Sequence, residues 1–131
     1  LREGRVVHRE AGVMLGHGVP GLVTKPIGNA QIYYSGAPLF SSAVLRGIAA
    51  RAGIHIYNFR DEVTYVNRRF LGIHTAEAGL RQIRLPRATD VYDVYGEKLV
   101  AKQTDRFSVD LPVRHTVLYF LGSEKEWKEA R

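Results

Sequence analysis

Apolar residues at Val44, Leu45, Ile48, Ala49 and Ala52 lie on one broad stripe at the helical period, and this spacing predicts a helix over about 41–52. Ser41 or Ser42 is placed to cap its N-terminus by accepting a bond from an orphan backbone N–H. Gly53 stands where a left-handed residue closes a helix. Upstream the pattern is broken by glycine (Gly4, Gly12, Gly16, Gly18, Gly21, Gly28, Gly36) and by Pro20 and Pro26, with short apolar pieces at Val6–Val7 and Val13–Leu15. Ala30–Tyr34 reads as a strand, and Ile54–Tyr57 reads as another. With the helix between them they form a partial β-α-β unit, whose crossover would be right-handed.

From Glu62 to Gly122 the period changes to that of strands. Val63–Val66 is short. Arg69–Thr75 alternates so that Leu71 and Ile73 face a core. Leu80–Leu85 follows an Ala78–Gly79 turn and is ended, or placed at an edge, by Pro86. Thr89–Val94 and Lys98–Lys102 form a hairpin across Tyr95-Gly96-Glu97. Arg106–Leu111 carries Phe107, Val109 and Leu111 on one side, and Thr116–Leu121 is continuously apolar. Strands every 8–12 residues with polar turns predict a small antiparallel β-sandwich. In the tail, Ser123 and Glu126 have the spacing of a capping box and predict a helical turn. The expected fold is therefore mainly β: an antiparallel β-sandwich preceded by a partial β-α-β unit with one clear helix. The expected division is a glycine-rich segment and partial unit over 1–58, the sandwich over 59–122 and a charged tail over 123–131.

A chain of 131 residues has room for one ordinary core. Hydrophobic residues at 45% and charged residues at 24% place it among globular rather than disordered sequences. Cysteine is absent, which excludes disulfides, thiolate metal sites and a thiol nucleophile, and is in keeping with a cytoplasmic protein. No apolar run is long enough to span a membrane, so no membrane partner is expected. The opening LREGRVVHRE lacks the apolar stretch of a signal peptide and an initiating Met, so the chain reads as a fragment or a processed product.

The net charge of +6 raises the question of nucleic acid. The bases are scattered, with Arg81, Arg84 and Arg87 the tightest group beside the pair Arg68–Arg69. If these segments are neighbours, the five arginines form one basic patch. A solvated sheet face, or a surface meeting an acidic partner, is the plainer reading, since no run of five bases occurs.

Chemistry is sparse. The histidines His8, His17, His55, His74 and His115 include no i, i+4 pair and no HExxH, so neither metal nor cofactor is expected. Gly16-His17-Gly18 is a GxG that runs into Pro20 rather than into a helix, which argues against a phosphate loop. Asp61–Glu62 are adjacent at a turn and Asp90 and Asp93 fall on opposite faces of a strand, so neither pair suits glycoside hydrolysis. No catalytic residue is expected. Tyr33, Tyr34, His55, Tyr57, His74 and Trp127 are candidate carbohydrate or interface contacts, Trp127 by docking the tail onto a neighbour.

Four segments carry a family resemblance: Ser42 to Tyr57 (Leu45, Arg46, Ile48, Ala49, Ala52, Gly53, His55), Asp61 to His74 (Val63, Asn67, Phe70, Ile73), Ala78 to Pro86 (Gly79, Ile83, Leu85) and Val91 to Gly96 (Asp93, Val94, Tyr95). Over about residues 30 to 121 the chain resembles the C-terminal region of bacterial β-galactosidase-like glycoside hydrolases. In such enzymes a catalytic barrel is followed by an α/β domain, often used in trimer formation, and by a small antiparallel β domain. The resemblance implies a non-catalytic accessory or assembly domain that packs against the remainder of a larger parent chain or a catalytic-barrel subunit. It further implies a homo-oligomer through the parent. The family's catalytic glutamates lie on the barrel, and no position here corresponds to them. The alternative expectation is an independent basic module for nucleic acid or another acidic polymer.

Overall fold

The computed structural model describes residues 5–6, 21–36 and 40–131. The expectations for His8, His17, the GxG at Gly16–Gly18 and the piece Val13–Leu15 lie outside these residues. The protein is mainly β and divides into two compact units, Leu1–Ile48 and Ala49–Arg131.

In the first unit, β1 (Arg5–Val6), β2 (Leu22–Ile27) and β3 (Ala30–Ser35) form an antiparallel sheet in the order β1-β2-β3. β2 and β3 are a tight hairpin with Ile27 opposite Ala30. Gly28 opens its two-residue turn at φ 56°, the conformation that a type II′ turn reserves for glycine. Gln31 donates to Thr24 across the ladder at 3.0 Å.

Helix α1 (Ser42–Arg51) follows. Ser41 is its cap, with its hydroxyl accepting from the N–H of Val44 at 3.3 Å. Gly53 ends it at φ 74°. Its N–H donates to the carbonyl of Ala50, and the N–H of Ile54 donates to that of Ala49, which together make a Schellman closure.

The strand expected at 54–57 does not form, and so neither does the β-α-β unit. β3 is spent on β2, and residues 54–57 give single bonds rather than a ladder. The Tyr57 carbonyl accepts from the N–H of Arg84 at 3.0 Å, and His55 Nε2 meets the Arg84 carbonyl at 2.9 Å.

The second unit holds β4 (Val63–Val66), β5 (Phe70–His74), β6 (Gly79–Asp93), β7 (Lys98–Leu111), β8 (Thr116–Leu121) and helix α2 (Glu124–Ala130). The strands form one antiparallel sheet in the order β4-β5-β8-β6-β7. β6 and β7 are each one long strand where two shorter ones were expected. Pro86 does not end β6, because it falls in the register shift between Arg84 and Thr89, where the β7 ladder asks for no N–H. The first half of the β6–β7 ribbon contributes Ile83, Leu85, Phe107 and Leu111 to the same core as Leu71, Ile73, Val117 and Tyr119 of β5 and β8. One continuous sheet thus supplies both sides of that core. The Phe107 and Tyr119 rings meet edge-on at 5.2 Å.

The charged tail belongs to this unit. Ser123 and Glu126 form the expected capping box, and Trp127 stacks on Tyr92 at 5.2 Å beside Phe120. The neighbour onto which Trp127 docks is its own sheet. Gly122 is required there, since a Cβ would lie 2.7 Å from the Phe120 ring.

Candidate functional site

The five arginines of the expected patch have different fates. Arg81 is fully buried, because β6 alternates and places it on the inward face with Ile83 and Leu85. Its guanidinium is consumed by the chain itself. Nε donates to Glu62 at 3.1 and 3.2 Å, Nη1 to the carbonyls of Leu111 (3.1 Å) and Gly79, and Nη2 to Glu62 and to the carbonyl of Glu77. Asn58 donates to the same carboxylate at 3.1 Å. Burial pushes the Glu62 carboxyl up. The hydrogen bonds from Arg81 and Asn58, with the charges of Arg81 and Arg60, outweigh that effect and hold it below the usual carboxylate range. Arg81 therefore clamps the start of β4, the β5–β6 turn and the end of β7, and adds no surface charge.

Arg84 is exposed and lies over the Phe59 ring at 5.1 Å. Arg69 is bridged to Glu126 at 3.1 Å. The Glu126 carboxyl is held down first by the backbone N–H of Ser123, then by the Ser123 hydroxyl, with Arg69 adding its charge. Arg68 and Arg87 are exposed, and among the described residues neither has an ion-pair partner.

Arg68, Arg69 and Arg87 do come together. Arg68 and Arg87 line two adjoining depressions of about 390 Å³ and 290 Å³, which share Thr89 and Leu121 as well and so make one groove. One end is walled by Tyr57, Leu85 and Pro86. The other is polar, with Gln103, Ser123 and the Arg69–Glu126 pair. The bulged ribbon shapes it. Gln103 takes φ 45° inside β7 and is held there by buried Asp90, whose Oδ1 accepts from the Gln103 N–H at 2.8 Å and from its side-chain amide at 3.0 Å. The pattern of the chain gave no sign of Thr89 or Gln103 as groove residues. The only signal available was the Pro86-Arg87-Ala88 interruption of an otherwise regular strand.

The aromatic candidates do not converge into one platform. In the first unit Tyr33 is half-buried, with its hydroxyl donating to Gln31 at 3.3 Å, and Tyr34 is 68% exposed. In the second, His55 and Tyr57 meet edge-on at 4.6 Å, and Tyr57 faces the groove. His74 lies on β5, with Nδ1 at 2.8 Å from the Thr116 hydroxyl. Trp127 is buried.

Three carboxylates singled out by the sequence are engaged structurally. Glu62 is on Arg81, Asp90 is on Gln103, and Asp93 accepts from the N–H groups of Tyr95 and Gly96 in the β6–β7 turn. Among the described residues no three His, Asp or Glu side chains are grouped to hold a metal ion, and no helix is long and apolar enough to cross a membrane. No family model, no curated protein and no solved structure matches the chain.

Proposed function

We propose that this chain is a non-catalytic accessory or assembly domain of a β-galactosidase-like glycoside hydrolase, serving packing or oligomerisation of the parent. The observation that carries the reading is helix α1. It is well capped at both ends, presents an apolar stripe, and buries none of its residues. A ten-residue helix is marginal in water without tertiary packing, and no described residue of the chain buries it, which supports reading its stripe as a surface for the parent. The resemblance around residues 42–57 supports the same conclusion, as does the structural employment of Glu62, Asp90 and Asp93.

The test is the intact mass and solution size of the native material. A parent chain larger than 14.7 kDa, or a stable complex with a subunit bearing a catalytic barrel, is the expected result. A lone soluble 14.7 kDa species would overturn it. The alternative, a basic module for nucleic acid, draws on the arginines of the groove. With Arg81 buried, and Arg69 and Arg84 engaged, it has two free bases to work with rather than five.

A further inference from the structure

We propose that the groove on the second unit is a binding site for a small anionic ring compound of the sugar-phosphate or sugar-acid class, its oxyanion held by Arg68 and Arg87 and its ring lying against Tyr57 and Pro86. The inference does not depend on the accessory-domain reading.

Three observations carry it. The first is charge. Arg69 is neutralised by Glu126 at 3.1 Å, and Glu126 is anchored by the Ser123 N–H at 2.8 Å, so the charge left to the groove is that of Arg68 and Arg87. A guanidinium presents a planar fork of donors that fits the oxygens of a carboxylate or phosphate. Two unpaired forks in one depression suit one or two negative charges.

The second is size and lining. The adjoining volumes of about 390 Å³ and 290 Å³ together fall within the range of small-molecule ligand pockets. Tyr57 and Pro86 offer flat apolar faces, whereas Thr89 and Gln103 offer hydroxyl and amide groups. A sugar ring has this same division, with apolar C–H faces and a rim of hydroxyls.

The third is what the groove lacks. A nucleic-acid track needs a row of bases to follow successive phosphates. Arg81, the residue that would extend the row along β6, points inward and is bound to Glu62. The charge is a point rather than a stripe, which favours a small ligand over a polymer.

Titration calorimetry on the 131-residue chain tests the proposal with glucose 6-phosphate, glucuronate, glucose and inorganic phosphate as probes. One or both charged sugars bind, weakening as salt rises, and glucose gives no heat. Which of them binds tells phosphate from carboxylate. Arg68→Gln and Arg87→Gln each weaken binding about tenfold or more, whereas Arg106→Gln, at an exposed arginine paired with Asp105, changes nothing. All three are surface substitutions, and circular dichroism checks that each variant is folded. Failure of both charged sugars to bind, binding as tight for glucose, or binding unchanged in both groove variants would overturn the site. Inorganic phosphate binding as tightly as glucose 6-phosphate would overturn the ring. Tighter binding of a single-stranded oligonucleotide that is lost in both groove variants would make the groove a nucleic-acid track and overturn the small-ligand reading.

Discussion

The two units differ in what they bury. In the first, the buried side chains among the described residues are Leu22 and Thr24. In the second, a core of nine buried residues runs from Leu71 to Tyr119, and a second cluster joins Tyr92, Phe120 and Trp127. Neither unit has a buried side-chain polar atom left unpaired among the described residues. A ladder alone confers little net stability in water, where each hydrogen bond replaces one to solvent. An isolated hairpin is marginal, whereas a sheet with a buried face is not. The stability of the described chain is therefore concentrated in the second unit. Among the described residues the β2–β3 hairpin buries Leu22 and Thr24, and α1 buries none of its own.

The largest expected effect tests where that stability sits. Glu62→Gln leaves the Arg81 guanidinium buried without its counter-charge and should cost about 3–5 kcal/mol, read by urea unfolding with Trp127 fluorescence. A loss below about 1 kcal/mol would place the Arg81 cluster among exposed pairs and weaken the contrast.

The same pair sets an acid limb. The folded Glu62 carboxyl titrates below its ordinary value of 4.5, so its contribution is present above about that pH and is lost as pH falls through the lower folded value. Glu62→Gln should be flatter than the parent over that window.

Tyr119 sets the alkaline limb. Burial, with a smaller effect from Asp93, pushes its hydroxyl from 10.0 up to about 12. The stabilisation is full below pH 10 and is lost as pH rises through about 12, on the order of 2–3 kcal/mol. Tyr119→Phe should lack that decline, and an unchanged alkaline profile would refute the assignment to Tyr119.

Gly122→Ala should cost about 1–3 kcal/mol, since its methyl meets the Phe120 ring at 2.7 Å and the Glu126 carboxylate at 3.0 Å. A change within error would mean that Phe120 can give way.

The smallest effect lies in α1, which begins in the first unit and ends at Arg51 in the second. Ser41→Ala removes the cap of α1 and should lower helix stability by about 1 kcal/mol. Hydrogen exchange should show faster α1 amides and an unchanged opening free energy for β5 and β8. Coupled loss in both would sink the picture of separate reserves.

What the chain made legible was local. The α1 stripe, the Ser41 cap and Gly53 closure, the Ser123–Glu126 capping box, and Leu71 and Ile73 as core residues all follow from neighbours within a few positions. What it hid was long-range. Nothing near Ile54–Tyr57 announces that β3 has already been taken by β2. Pro86 looked like an end because the compensating register shift depends on Thr104 and Arg106, some twenty residues away. Arg81 is an intermediate case. Its period with Ile83 and Leu85 places it on the inner face, whereas its charge alone points to the surface. The groove was least legible, since Arg68 and Arg87 meet only through the bend of β6.

The position of β8 carries a consequence for synthesis. It is the last strand in sequence and the middle one in the sheet, paired to β5 on one side and to β6 on the other. Until residues 116–121 have left the ribosome, the β4–β5 and β6–β7 hairpins stand as two half-sheets, each with an open edge and a bare apolar face. The last strand works as a keystone: a nascent chain arrested before it is the form most exposed to edge-to-edge aggregation, and the form a chaperone would have to hold.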